Sequence, residues 1–345
     1  MKVAVVILNW NGKALLDKYL PSVLKHSVGA EIVVVDNQSS DDSVSFIETQ
    51  FPTITIIKHS QNFGYAEGYN QALKQLDADL FCLLNSDVRV TKNWLQPVIT
   101  HFTNHPETSI AQPKILSDNQ PNTFEYAGAA GGFIDQFGFP FCKGRIFQSL
   151  EKDTQQYNET ASIFWASGAC FFVRSKVFKE LNGFDTDYFA HFEEIDFCWR
   201  AAHNQHQAVC VGTSSVYHLG GGTLPYKSSQ KLYYNIRNSL FTLLKNLPLQ
   251  LLFPVIVTRM IFDGFLGVFF LITLRPYLLF SIFRAHFSFH TSFGSIFKKR
   301  KFYNKTNQYF VVRSIIIQYF IFRRRFFNNL KIRVKKKLAT SSKSE

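Results

Sequence analysis

Apolar and polar positions alternate in blocks along the first hundred residues. Val3–Leu8 is an unbroken apolar, largely β-branched run, and the stretch from about Ala14 to Leu24 then reads as a helix. The cycle repeats, with strands at Glu31–Val35, Thr53–Ile57 and Leu80–Leu84. Helices fall between and after them at Asp41–Thr49, Ala66–Leu76 and near Thr91–Phe102. Strands that are apolar at nearly every position are buried on both faces, and strands alternating with helices run parallel. The pattern therefore predicts an α/β fold around a parallel sheet. In such sheets a ligand lies beyond the carboxyl ends of the strands. The polar clusters fall there: Asn9-Trp10-Asn11 after the first strand, Asp36 after the second and Asn85-Ser86-Asp87 after the fourth.

The middle of the chain is less regular. Gln120–Tyr157 is rich in Gly, Phe and polar residues and predicts long loops. Order resumes with a strand at Ala169–Val173, a helix at Ser175–Leu181 and a helix at Glu193–His203 that opens on two carboxylates. Short strands at Ala208–Val211 and Ser215–Tyr217 lead into His218 and a glycine-rich turn. From about Pro225 Phe, Leu, Ile, Arg and Lys dominate, which divides the chain into residues 1–225 and 226–345. The longest uncharged windows of the second part are Asn246–Thr258 and Gly264–Leu274. Both fall short of the roughly 20 residues a bilayer span needs. Arg259 and Asp263 separate them at i, i+4 spacing and are expected to pair. A transmembrane hairpin through 247–283 is the alternative to helices lying on a membrane.

Charge sharpens that division. Residues 1–225 carry a net −7 and residues 226–345 a net +20, so a generally basic nucleic-acid binder is a poor fit. The basic clusters Lys298–Lys301, Arg323–Arg325 and Lys335–Lys337 are interleaved with Phe, Tyr and Ile. That mixture suits an anionic membrane surface, with apolar side chains in the interface and cations at the headgroups. Nucleic acid, the competing partner for the same charge, would require basic residues near the folded motifs, which lie instead in the acidic part. The five cysteines are scattered without a C-x-x-C, as expected of reduced core residues in a cytosolic compartment. The six-residue apolar run at the amino terminus is too short for a signal peptide and reads as a buried strand.

Several common signatures are absent. No G-x-G-x-x-G follows the first strand, Gly12-Lys13 continues with Ala14 rather than Ser or Thr, and there is no His-Glu-x-x-His. What remains is a set of strand-end carboxylates and one histidine. The segments carrying them are VVILNWNG (5–12), VVVDNQSSD (33–41), NFGYAEGYN (62–70), LLNSDV (83–88), SGACFFVR (167–174), NGFD (182–185), FEEIDFCWR (192–200) and VYHLGGGT (216–223). In this order the series resembles glycosyltransferase family 2, most closely the branch with rhamnosyltransferases of cell-surface polysaccharide assembly.

The resemblance covers about residues 1–223 and implies a GT-A-type, Rossmann-like fold with a mixed, mostly parallel sheet. It implies an inverting transfer from a nucleoside-diphosphate sugar (UDP- or dTDP-linked) to a hydroxyl of a lipid-linked or other glycan acceptor. Asp36 would bind the base or ribose, with Asn9, Asn11, Asn62, Gly64, Asn85 and Ser86 lining the nucleotide sugar. Asn85-Ser86-Asp87 stands where relatives carry Asp-x-Asp, so Asp87, with His218, would hold Mg²⁺ or Mn²⁺. Glu194 would be the catalytic base, with Glu193 second. Asp196 and Arg200 read as a structural pair. The expected location is the cytoplasmic face of the cell membrane, in bacterial envelope synthesis. A non-catalytic sugar-nucleotide-binding scaffold is the alternative.

Overall fold

The computed structural model describes residues 1–220, 228–300 and 309–332. The predicted alternation is present: β1 (Val3–Asn9), α1 (Lys13–His26), β2 (Ala30–Asp36), α2 (Ser43–Gln50), β3 (Thr55–Lys58), α3 (Gly64–Leu73) and β4 (Leu80–Asn85). A short β5 (Val88–Val90), α4 (Gln96–Asn104) and β6 (Thr108–Ser117) follow. Strands β3, β2, β1 and β4 lie side by side and parallel. Their alternate residues feed two cores, which is why the runs are apolar throughout. Val6, Val33, Val35 and Leu83 face one layer, and Val5, Val34, Cys82 and Leu84 the other.

The sheet continues past β4 through β12 (Cys170–Arg174), which is antiparallel to both β4 and β6. Strand β13 (Gln207–His218) then runs parallel to β6. The result is a mixed nine-stranded sheet. The two short strands expected at 208–211 and 215–217 are one strand, with its register shifted between Val211 and Ser215. The shift carries Gly212, where a Cβ would come within 2.1 Å of the Tyr157 carbonyl, so backbone meets backbone there.

The stretch expected to be long loops differs most from expectation. It holds a second, four-stranded antiparallel sheet of β7 (Gly132–Ile134), β8 (Pro140–Cys142), β9 (Arg145–Ile146) and β10 (Ser149–Leu150). Strands of two or three residues are too short to show a period. A further short strand, β11 (Ala161–Ile163), edges the large sheet beside β13. Helices α5 (Ser175–Glu180) and α6 (Glu193–His203) cover the face opposite α1, α2 and α4. All five cysteines are buried and free.

The chain after residue 225 is not a separate body. Helix α7 (Ser229–Asn246) buries Leu240, Phe241, Leu243 and Leu244 in the same core as the sheet. Lys245 is buried between Asp185 (2.6 Å) and Asp196 (2.9 Å), and Asp196 also holds Arg200 at 2.8 Å, the structural pair expected. Helix α8 (Leu249–Ile272) runs 24 residues, and α9 (Pro276–Lys298) returns along it.

Counting uncharged windows separately therefore misjudged α8, which is long and apolar enough to cross a membrane. Its interruption is internally neutralised: Arg259 Nε lies 3.3 Å from Asp263, which His286 of α9 also meets at 3.1 Å. The first basic cluster also differs from expectation. Lys299 pairs with Asp185 and Asp187, and Arg300 is buried, donating to the Leu244 and Leu247 carbonyls. Residues 309–332 come back to the small sheet, where Asp135 accepts from the Ile315 amide at 2.9 Å. Lys301 and Lys335–Lys337 lie outside the described residues.

Candidate active site

Register places two of the predicted residues side by side and a third one step behind them. Asn9 pairs with Asp36 across β1 and β2, and Asn85 pairs with Leu8 across β4 and β1. Asp36 is buried; Asn9 Nδ2 donates to it at 3.2 Å and the Ser39 amide at 3.0 Å. Helix α2 begins only at Ser43, so neither Asp36 nor Ser39 nor Ser40 caps it. Ser39 Oγ instead accepts from Asn9 Nδ2 (3.1 Å) and the Asn11 amide (2.9 Å). The Asn9 Oδ1 acceptor is buried without a partner. Gly12 leaves it room, since a Cβ there would come within 2.4 Å.

Asn11, Asn62 and Gly64 lie one layer out and shape the loops. Asn11, at φ +50°, accepts from the Ser40 amide at 2.7 Å. Asn62 Oδ1 accepts from Asn37 Nδ2 (3.0 Å) and the Gly64 amide (2.9 Å). Gly64 has φ +72° and packs so closely on Phe189 that a Cβ would sit 2.5 Å from its carbonyl. That contact joins the start of α3 to the loop that delivers the two glutamates.

The second group forms where β4 turns into β5 and β13 ends beside it. His218 pairs with Val88, and its Nε2 lies 3.0 Å from Asp87 Oδ1. Its Nδ1 faces Glu125 Oε2 at 3.3 Å. Asp87, Glu125 and His218 are all buried. Burial works against a charged imidazole, but the Asp87 and Glu125 carboxylates prevail and push His218 up to about 10. Asn85 Nδ2 approaches the same Nε2 at 3.5 Å, and Ser86 lies beside Gly12. Sequence reasoning missed Glu125. It follows β6, a strand the pattern did not reveal, and no spacing tied it to His218. Gly220 is described; Gly221, Gly222 and Thr223 lie outside the described residues.

Among the described residues no cluster of three His, Cys, Asp or Glu side chains would cage a metal ion. The two expected donors, Asp87 Oδ1 and His218 Nε2, nonetheless stand at the separation of neighbouring ligands on one small cation. Mg²⁺-type ions are commonly held by one or two side chains, with phosphate oxygens and water completing the shell. Asp87 fits an ion of that kind as an anionic ligand, and His218 joins it by giving up its Nε2 proton when the cation binds.

Glu193 and Glu194 open α6 after two residues with left-handed backbone, His191 (φ +71°) and Phe192 (φ +73°). Glu193 is buried and Glu194 half-buried, and each has an Oε2 without a partner. Burial, then the neighbouring charge of Glu194, raises the Glu193 carboxyl well above the usual range. Burial also raises Glu194, to about 7, against the opposing pull of amides at the helix start.

Strand-end polar residues, a carboxylate–imidazole pair and a glutamate raised by burial are thus contributed by one mixed sheet and the helix packed on it, and known proteins share the sequence pattern of its first part and its fold. Residues 4–181 match the family described as Glycosyl transferase family 2. The chain belongs to glycosyltransferase family 2. Its relatives include a low-salt glycan biosynthesis hexosyltransferase of Haloferax volcanii, 25% identical over 61% of this chain and 66% of that protein. An N-acetylglucosaminyl-diphospho-decaprenol L-rhamnosyltransferase of Mycobacterium tuberculosis is 23% identical over 62% of this chain and 75% of its own length. The fold is shared with GalNAc-T7, crystallised with UDP, GalNAc and Mn²⁺ (TM-score 0.56, 16% identity, 71% of this chain and 48% of that one). In this family 2 chain the matched segment ends before α6, so Glu193, Glu194 and His218 all lie beyond it.

Proposed function

We propose that this chain is an inverting, metal-dependent glycosyltransferase acting on a nucleoside-diphosphate sugar, UDP- or dTDP-linked. Its acceptor is a hydroxyl of a lipid-linked glycan in cell-envelope polysaccharide synthesis. Glu194 carries the reading: it is a carboxylate with a free oxygen at a helix start, and burial raises it to about 7. A base of that strength is available at neutral pH and takes up a proton effectively as a hydroxyl attacks. In a single displacement the acceptor oxygen bonds to the anomeric carbon while the bond to the diphosphate oxygen breaks. The hydroxyl proton passes to Glu194, and the configuration inverts. Asp36 and Asn9 bind the nucleoside through the carboxylate and the unpartnered amide oxygen. Asp87 and His218 would hold Mg²⁺ or Mn²⁺, which when bound neutralises charge on the departing diphosphate.

The membrane side of the proposal rests on α8, on the basic residues Arg323 and Arg325, and on exposed Phe253, Phe265, Phe280, Phe283 and Phe287. Contiguous apolar surface of this kind marks an interaction site. We assign residues 226–345 to association with the anionic cytoplasmic face of the cell membrane, and no nucleic-acid partner. The named substrate of the mycobacterial relative, a diphospho-decaprenol, supports a lipid-linked acceptor here. The test is a panel of nucleotide sugars scored by thermal stabilisation of purified protein, with and without Mn²⁺. Stabilisation by one sugar nucleotide that requires Mn²⁺ is expected. No response to any member would overturn the reading.

A further inference from the structure

We infer that Arg145 binds a phosphate group on the acceptor's side of the site. This builds on the transferase reading above and extends it to a residue outside the motifs. Arg145 opens β9 and is only 7% exposed. Its Nε has no partner, and its Nη2 reaches only the Cys142 thiol, at 3.8 Å. The guanidinium lies over the Tyr126 ring, 4.3 Å from its centroid.

The other buried cations are provided for. Lys114 faces Asp153 at 2.7 Å, Lys245 and Arg259 meet carboxylates, and Arg300 is held by two carbonyls. Arg145 has neither kind of partner among the described residues. The stretches outside them contain a single acid, Glu345. A guanidinium held away from water with no carboxylate in hydrogen-bond contact is costly, and an anion from outside the chain that takes its free donors lowers that cost. Its planar fork of donors matches phosphate in two-point contact.

Its neighbourhood indicates which phosphate. Tyr126, under the guanidinium, follows Glu125, the carboxylate facing His218. Gly144, at φ +86°, presses on Phe124, where a Cβ would come within 2.6 Å, so the turn before Arg145 is held against that segment. The charges of Glu125 and Glu194 both act on the Cys142 thiol that Arg145 touches. Arg145 therefore stands outside the β1–β2–β4 edge assigned to the nucleoside, beside the segment that carries Glu125; because the donor's diphosphate is already assigned to Asp87 and His218, the phosphate left for Arg145 is the acceptor's. The acceptor class this implies is a sugar carried on a phosphate or diphosphate.

Inorganic pyrophosphate in excess EDTA is the probe, because chelation silences any metal-borne diphosphate site. Wild-type protein and Asp87→Ala should both be thermally stabilised by it. Arg145→Met should lose that response, with affinity lowered about tenfold or more, the effect of one charge-assisted contact. Arg145→Lys should keep part of it. Met fills a similar volume, and its melting temperature without ligand reports folding separately. UDP with Mn²⁺ should stabilise Arg145→Met as it does wild type. Pyrophosphate binding unchanged in Arg145→Met, or loss of UDP binding in that variant, would overturn the assignment. Failure of the whole nucleotide-sugar panel on wild type would instead overturn the transferase reading, so the two failures are distinguishable.

Discussion

Glu193 and Glu194 are neighbours with the same side chain, and their surroundings separate them. The more accessible Glu194 is set near 7 by burial, while Glu193 is buried and lifted further by its neighbour's charge. Glu194→Gln should lower turnover by about a hundredfold or more, the usual share of a general base, and leave Mn²⁺-dependent donor binding in place. The rate should rise with pH through about 7 in wild type, and that limb should vanish in the variant. If Glu193→Gln proves the crippling change, the roles are exchanged. Stability should run the other way. Both carboxyls hold protons in the folded state above their ordinary 4.5, so stability is lost as pH rises from there towards about 7. Chemical denaturation at pH 5 and pH 8 checks the sign, and Glu194→Gln should shrink the difference. Asp87→Ala should abolish transfer and the Mn²⁺ requirement of nucleotide stabilisation; unchanged metal dependence would remove Asp87 from the metal site. At this scale the positions of Asp36, Asp87 and His218 were legible because Asp36 and His218 end strands and Asp87 lies in the turn just after one. Glu125 was not, since its partner His218 lies 93 residues away in the chain and nothing local marks the contact.

The elements from β1 to β4 were predicted within a few residues, as was α6, whose limits agree at both ends. β6 went unnoticed. Its residues are buried at nearly every position, yet Gln112, Pro113 and Lys114 interrupt the apolar pattern with residues whose partners are remote. Gln112 accepts from the Ser167 amide at 2.9 Å, and Lys114 pairs with Asp153. Helix α7 depends on a similar remote arrangement. Lys245 neutralises two carboxylates, and Asp185 is held well below the usual range: burial opposes its charge, but Lys245 and Lys299 outweigh it. Lys245→Met leaves Asp185 and Asp196 short of a counter-charge in a buried setting. Such a loss costs about 3–5 kcal/mol, and urea unfolding should show it as a lower midpoint with unchanged slope. A variant as stable as wild type would show that Arg200 and Lys299 suffice.

Taken whole, the molecule packs α7 into one of the sheet's two cores, although the charge distribution suggested a head and a tail joined at residue 225. Since α7 supplies part of the sheet's cover, truncation after Tyr226 should yield aggregated protein that does not bind nucleotide. Soluble protein with donor binding intact would refute that dependence. Full-length protein should sediment with anionic liposomes, more weakly as salt screens its cations over roughly 10 Å at 0.1 M. Binding should persist in part through the exposed phenylalanines. Displacement of the protein by duplex DNA at physiological salt would argue against the membrane. The position of α7 also sets a timetable for biosynthesis. Chains emerge from the ribosome amino end first, so residues 1–228 must wait, with an apolar face uncovered, until α7 appears. Only Leu247 and Pro248 separate its end from the start of α8. Maturation of the enzyme is thus coupled to delivery of its greasiest helix, and stalled nascent chains should resist protease only once α7 has cleared the exit tunnel.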